Sequence, residues 1–80
     1  MDTREAIAAR IKELCKERGI TANGLSNISA VSQSTIKSIL NGESNNPGAV
    51  TIKKLCDGLE ITLGEFFSTP MFDNLEQEIK

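Results

Sequence analysis

Polar side chains that can form hydrogen bonds lie close together in the stretch SAVSQSTIKSILNG, residues 29–42. The candidate binding residues in it are Ser32, Gln33, Ser34, Lys37 and Ser38. On one face of a helix, amide and hydroxyl groups can bond to the edges of DNA bases, and glutamine can pair with adenine through two bonds. The same residues also suit an ordinary solvated helix face. Their types alone therefore do not distinguish a binding surface from plain surface.

The spacing of apolar residues predicts a helix at the start of the chain. A first helix is expected over about Thr3–Arg18, where Asp2 and Glu5 fit a capping box. Gly19 would end it in the left-handed conformation. The apolar stripe of this helix repeats at helical spacing and comprises Ile7, Ile11, Leu14 and Cys15.

Two short helices joined by a tight turn are predicted next. Thr21 is an N-cap for a helix over about 22–29, and Ser32 caps a third helix that runs to about Asn41 and ends at Gly42. The residues expected to face inward are Leu25, Ile28, Ile36, Ile39 and Leu40. The polar residues of the opening stretch are then left on the outer face of the third helix.

The rest of the chain also reads as helices. After the loop GESNNPGA, Thr51 is predicted to cap a fourth helix, and Thr62 with Glu65 a short fifth one. The fourth helix would bury Ile52, Leu55, Cys56 and Leu59, and the fifth carries Leu63, Phe66 and Phe67. Thr69 and Pro70 indicate a further helix start, whose apolar stripe would be Phe72, Leu75 and Ile79. With no strand-like alternation, the expected fold class is all-α.

Charge is distributed unevenly along the 80 residues. The net charge is −2, but residues 1–56 carry +3 and residues 57–80 carry −5. We expect one domain over 1–68 and an acidic amphipathic tail over 69–80, predicted to be helical and to take part in dimerisation. The chain has no apolar run long enough for a membrane span and no secretory signal at its start, so the expected location is the cytoplasm.

Enzymatic and metal chemistry find little support in the residue types. The chain has no His, no Tyr and no paired-carboxylate motif, and its serines have no neighbouring base. Cys15 and Cys56 fall in helical apolar patterns, which favours two reduced core thiols. No enzyme, no metal site and no cofactor are therefore expected.

Residues 20–67 resemble the Cro/C1-type (XRE) helix-turn-helix family of small bacterial or phage transcriptional regulators. The resemblance rests on an ordered set of features: Thr21, Leu25, Ser26, Val31, Ile36, Ile39, the Asn41-Gly42 pair, the Asn-Pro loop and the closing helices. It implies a compact five-helix, lambda-repressor-like domain with a short helical tail. It also implies a sequence-specific regulator, expected to be a repressor, that reads the DNA major groove with its third helix, about residues 32–41.

The resemblance extends to partners and contact residues. The base-reading set would be the five candidates of the opening stretch. The expected phosphate contacts are Thr21, Asn23, Thr35, Asn41, Ser44, Asn45, Asn46, Thr51 and Lys53. A homodimer on an inverted repeat is expected, with a surface formed by Phe66, Phe67, Met71, Phe72, Leu75 and Ile79. Alternatively, this apolar stripe packs back on its own domain.

A second function also fits the sequence. The chain could be a protein-interaction module, such as an antitoxin that binds a toxin through its acidic tail. The partners considered are thus double-stranded DNA, a second copy of the chain and another protein, with no membrane.

Several positions depart from the family pattern. Ala22 stands where members often have a Gln that braces the reading side chain, and Asn23 is the nearest amide. Ala30 and Glu60 stand where members commonly have Gly, so positive φ angles are expected at non-Gly residues. In place of an Arg–Glu ion pair found in several members, Cys15 and Leu40 are both apolar. We therefore predict that these two side chains touch.

Overall fold

The computed structural model of the protein describes residues 1–43 and 46–79. Within these residues the chain forms six α-helices and no strand, which confirms the all-α prediction. The helices are α1 (Thr3–Arg18), α2 (Ala22–Ser29), α3 (Gln33–Leu40), α4 (Ala49–Leu59), α5 (Leu63–Phe67) and α6 (Pro70–Asp73). None of these described helices is both long and apolar enough to cross a lipid bilayer.

The predicted caps set the ends of most helices. The Asp2 carboxylate accepts the Glu5 backbone N–H at 2.8 Å, and this bond lowers the pKa of that carboxyl group. Gly19 ends α1 with φ +64°. Thr62 and Glu65 form the complete reciprocal capping box of α5. These ends agree with the sequence prediction because each cap bonds only to residues three or four positions away.

The predicted start of α4 is wrong by three residues, since the N-cap is Gly48 and not Thr51. The helix begins at Ala49 after an extended Gly48, and Thr51 lies inside its first turn. The Ile52 N–H donates to the Gly48 carbonyl at 3.1 Å. The first helical hydrogen bond therefore starts at Gly48, three residues before Thr51. Gly48 makes no side-chain cap, so the local pattern contained no capping signal at the true boundary.

The helix predicted after Thr69 is only four residues long, and its apolar stripe does not form. The side-chain amide of Asn74 donates to the Pro70 carbonyl at 2.9 Å and satisfies one of the free carbonyl groups at the end of α6. Residues 75–79 are not helical. Phe72 packs against the core, whereas Ile79 is 90% exposed. The stripe fails because the chain stops turning before Leu75.

One hydrophobic core joins all the helices except the short α6, whose Phe72 lies against it. Its buried members are Ile7, Ile11, Leu14, Leu25, Val31, Ile36, Ile39, Ile52, Leu55, Cys56, Leu59 and Phe66. Cys15 and Leu40 both pack at its edge, and the contact between them stays a prediction. Both thiols are free, and desolvation raises their pKa values.

Ile28 was predicted to be buried, but it is 50% exposed. The inward face of α2 is formed instead by Leu25 and Ser29, one turn apart. The buried Ser29 hydroxyl donates to the Leu25 carbonyl at 2.6 Å, so the polar group enters the core with its hydrogen bond satisfied.

The close crossing of α2 and α4 explains which face of α2 points toward the core. A Cβ atom added to Gly58 of α4 would lie 2.7 Å from the Ile28 carbonyl oxygen and 3.0 Å from the Ser29 Cα. The absence of a side chain at Gly58 thus lets α4 lie directly against the backbone at the end of α2.

Candidate nucleic-acid interface

The turn between α2 and α3 sets the angle of the two helices. Ala30 ends α2 in the left-handed conformation, with φ +58°, and its N–H donates to the Ser26 carbonyl at 3.1 Å. The Ser26 hydroxyl then donates to the Val31 carbonyl at 2.6 Å, while the Val31 side chain is buried. Two hydrogen bonds and one buried apolar side chain therefore hold α3 in a fixed position beside α2.

The buried side of α3 determines which of its residues face outward. Ile36 and Ile39 are fully buried. Gln33, Ser34, Thr35 and Lys37 are exposed, and Ser38 is half-buried. The structure thus leaves the N-terminal half of the predicted reading set accessible, at the end of α3 next to the turn.

Three hydroxyl groups meet at the start of α3. The Ser32 oxygen accepts the Thr35 backbone N–H at 3.2 Å and donates to the Thr35 hydroxyl at 2.8 Å. The Ser34 hydroxyl lies 3.4 Å from the same oxygen. Because Ser32 already caps the helix, its hydroxyl has little capacity left for a base. Ser34 and Thr35 keep free hydrogen-bonding capacity toward solvent.

Gln33 is held by a residue of the neighbouring helix. Its side-chain nitrogen donates to the Asn23 side-chain oxygen at 2.6 Å, and both residues are exposed. The bond uses one N–H of Gln33 and leaves its oxygen and second N–H free. One acceptor and one donor side by side match the N6 and N7 edge of adenine. Asn23 thus braces Gln33 although Ala22 occupies the usual bracing position.

The predicted phosphate contacts divide into two groups. Three of them are exposed: Thr21 caps the start of α2, Asn41 caps the end of α3, and Asn46 lies in the loop before α4. Thr51 is half-buried in α4, and the Lys53 ammonium group pairs with the Asp57 carboxylate one turn away. Ser44 and Asn45 lie outside the described residues. The interface is therefore rich in neutral donors and poor in free cations.

The predicted dimer surface is only partly available. Phe66 is fully buried in the core of a single chain, so its assignment to the surface is wrong. The rings of Phe66, Phe67 and Phe72 pack together, with centroids 4.9–6.0 Å apart. Phe67 keeps 38% of its surface exposed, and Met71 and Leu75 are half-buried. The aromatic stacking follows the alternative prediction, in which the stripe packs on its own domain.

Arg10 is a structural residue that the sequence reasoning missed. Its guanidinium group donates to the carbonyl oxygens of Phe66 at 2.8 Å and Glu65 at 2.9 Å, and it pairs with Glu13. It therefore ties α1 to the end of α5. No local pattern marks this role, since the partners are 55 and 56 residues away. Gly58 was also missed, although an isolated glycine inside a helical pattern is a sequence signal for close packing.

Comparison with known proteins agrees with this geometry. The chain resembles a HTH_3 family transcriptional regulator from Vibrio cholerae, with 31% identity and a TM-score of 0.77 over 85% of this chain. It spans only 38% of that regulator's length. The prophage Lp1 protein 11 is 29% identical, with a TM-score of 0.81, and the match covers 94% of this chain and 100% of that protein. No curated protein matches significantly.

A family model for the Cro/C1-type HTH DNA-binding domain matches residues 10–71, most of the chain. The match includes α2, the turn at Ala30 and α3, the elements that carry the exposed polar face. The chain therefore belongs to the Cro/C1-type helix-turn-helix DNA-binding domain family.

Proposed function

We propose that this protein is a sequence-specific regulator of transcription, acting in the cytoplasm as a repressor, that inserts the N-terminal end of α3 into the DNA major groove. The observation that carries this proposal is the Gln33 amide, exposed at the start of α3 and oriented by Asn23 at 2.6 Å. An exposed glutamine loses side-chain entropy when it binds. Because Asn23 already holds Gln33, less entropy is lost on binding, and the free oxygen and N–H of Gln33 are presented to adenine.

The proposed contacts follow from this docking. Gln33, Ser34, Lys37 and Ser38 would read bases, while Ser32 mainly caps the helix. Thr21, Thr35, Asn41 and Asn46 would bond to phosphates, as neutral donors commonly do. Thr51 and Lys53 are weaker candidates, because one is half-buried and the other is paired with Asp57. In this proposal, residues 1–68 are the DNA-binding domain and residues 69–80 are its tail.

A selection of the purified protein on random DNA duplexes tests the proposal directly. We expect enriched duplexes to contain an inverted repeat, since two half-sites about 34 Å apart match a two-fold dimer. Enrichment of a single unrepeated site would contradict the dimer, and enrichment of no sequence would contradict specific DNA binding.

Substitution of Gln33 by Ala then tests the reading face on the selected site. We expect Gln33→Ala to weaken binding by about 1–3 kcal/mol and to relax the preference at one base position of each half-site. Asn23→Ala is expected to weaken binding at the same position, because it releases Gln33. Asn27→Ala is the matched control, an exposed amide on α2, and should bind like the unsubstituted protein. An unchanged base preference in Gln33→Ala would show that the reading face is assigned wrongly.

A protein-interaction module remains the second candidate, and we place it behind DNA binding. The apolar stripe that would serve such a partner is not continuous, since α6 ends at Asp73 and Phe72 packs on Phe66 and Phe67. Stoichiometric co-purification of one protein, together with no retention on DNA at low salt, would favour this second function instead.

A further inference from the structure

Residues 75–79, defined here as the C-terminal strap, lie against the start of α1. The Glu76 backbone N–H donates to the Met1 carbonyl at 3.3 Å, and the Thr3 hydroxyl donates to the Glu78 carboxylate at 3.1 Å. The Met1 amino group lies 3.8 Å from the Glu76 carboxylate. A carboxylate beside the first turn of α1 is also favoured by the positive end of the helix dipole. Three separate contacts therefore dock an acidic segment on Met1 and on Thr3, the first residue of α1.

The docked strap lines a cleft of about 460 Å³ that also reaches the loop between α3 and α4. Glu76, Gln77 and Glu78 share this cleft with Asn46 and Pro47. Asp2 and Arg4 also line it, so its charged groups are three carboxylates and one guanidinium. Asn46 is one of the proposed phosphate contacts, exposed at that edge of the interface. The fold thus places two carboxylates beside the loop that would approach the DNA backbone.

We propose that the C-terminal strap is an autoinhibitory contact, which lowers the affinity for DNA while it is docked. This inference rests on the proposed function, since it needs phosphates to approach Asn46. A phosphate bonded there would face Glu76 and Glu78 across a solvent-filled cleft, where like charges repel and salt screens the repulsion. When the strap leaves α1, its carboxylates can move away from the incoming phosphates.

The strap is held weakly enough to open without unfolding the domain. Its docking bonds lie in exposed surroundings, and the Glu76 side chain is 71% exposed. Leu75 is its half-buried residue, while residues 76–79 are exposed. The buried core residues, from Ile7 to Phe66, all lie outside the strap. Exposed bonds and ion pairs of this kind contribute little stability.

The first test removes the charges and keeps the side-chain shapes. We expect Glu76→Gln with Glu78→Gln to bind the selected operator about three- to fivefold tighter at low ionic strength, with the gain falling below about twofold at 0.3 M salt. The matched control is Glu60→Gln with Asp73→Asn, which changes the net charge equally at exposed residues outside the cleft. An equal gain in both double variants would overturn the proposal, because only net charge would then matter.

The second test releases the strap while all its acids are retained. Thr3→Val removes the hydroxyl that bonds to Glu78, so we expect about a twofold gain in affinity and faster hydrogen exchange at the Glu76 amide. If Thr3→Val bound like the unsubstituted protein although its strap exchanged faster, docking would be irrelevant and the proposal would be wrong. Failure of every variant to bind DNA would overturn the proposed function itself. Normal specific binding with no strap effect would overturn only the autoinhibition.

Discussion

At the scale of single residues, the molecule shows which polar groups are free to bind and which are already used. Ser32 spends its hydroxyl on the cap of α3, and Asn23 spends its oxygen on Gln33. Gln33 keeps one acceptor and one donor, so it is the residue best prepared for a base. A helix face that looks uniformly polar in sequence is therefore unequal in its hydrogen-bonding capacity.

Among the residues that the structure describes, two non-glycine residues have backbone angles that ordinary side chains seldom adopt. Ala30 and Glu60 end α2 and α4 with φ +58° and +59°, as expected from the family positions where Gly is common. The left-handed conformation costs a residue with a Cβ atom roughly 1–2 kcal/mol. These two helix ends are consequently places where the fold carries local strain.

Ala30→Gly is expected to stabilise the protein. The relief of strain exceeds the extra flexibility of glycine in the unfolded chain, so the free energy of unfolding should rise by about 0.5–1 kcal/mol. Urea denaturation followed by circular dichroism measures this change. Ala9→Gly, inside α1, is the matched control and should destabilise by about 0.5–1 kcal/mol. A loss of stability in Ala30→Gly would mean that the turn depends on the methyl group.

At the scale of elements, the position of α3 depends on helices that carry none of the proposed base-reading residues. Gly58 lets α4 lie against the end of α2, and the Ser26 bond to Val31 then sets the turn into α3. On the other side of the core, Arg10 links α1 to the last residues of α5. The reading helix is thus positioned by one backbone contact and one buried turn.

Gly58→Ala tests the helix crossing. The added methyl group would lie 2.7 Å from a backbone oxygen, which must move, so we expect a net destabilisation of about 1–2 kcal/mol despite the better helix propensity of Ala. Thermal and urea unfolding measure it. Gly24→Ala in α2 is the matched control, since its new methyl group would meet no atom closer than 3.6 Å. Equal effects at the two glycines would show that the crossing is not tight in solution.

At the scale of the whole molecule, charge is separated along the chain, with +3 on residues 1–56 and −5 on residues 57–80. Lys37, in the last turn of α3, is the cation of the predicted reading set, and Glu76 and Glu78 line the cleft that also reaches Asn46. Lys53, the other cation of the predicted contact set, is paired with Asp57. In the proposed docking, a protein with a net charge of −2 is expected to bind DNA with few released counterions.

The salt dependence of operator binding should accordingly be shallow. We expect the slope of log K against log salt concentration to correspond to no more than about three or four counterions per monomer. Titration between low and moderate salt by fluorescence anisotropy measures the slope, and Lys37→Ala should reduce it by about one. A slope equivalent to eight or more counterions per monomer would contradict the proposed docking.

Dimerisation is proposed through the apolar residues that remain accessible near α5 and α6. Phe67→Asp is expected to shift the protein from dimer to monomer in analytical ultracentrifugation and to weaken operator binding. Leu63→Asp is the matched control, because Leu63 is 37% exposed and Phe67 38%. Melting curves check that both variants fold, and Met71→Asp serves as a second probe. If only Leu63→Asp gave a monomer, the dimer surface would lie elsewhere on α5.

Much of the fold could be predicted because its signals are local. Thr21 and Gly19 set helix ends through neighbours in sequence, and Leu25, Ile36 and Ile39 follow helical spacing. The start of α4 was missed because Gly48 has no side chain that could mark it. For the candidate site, the exposed face of α3 was predictable once Ile36 and Ile39 were assigned to the core.

The sequence by itself determined where most helices lie, most of their caps, the uneven charge and the polar face of α3, since each depends on residue type and short spacing. Only the tertiary structure decided that Ile28 faces solvent, that Gln33 is braced by Asn23, and that Phe72 turns back onto Phe66. The tertiary structure likewise decided that the Thr3 hydroxyl donates to the Glu78 carboxylate. The physical reason is that these outcomes depend on which distant segments pack together, and helical periodicity contains no information about that.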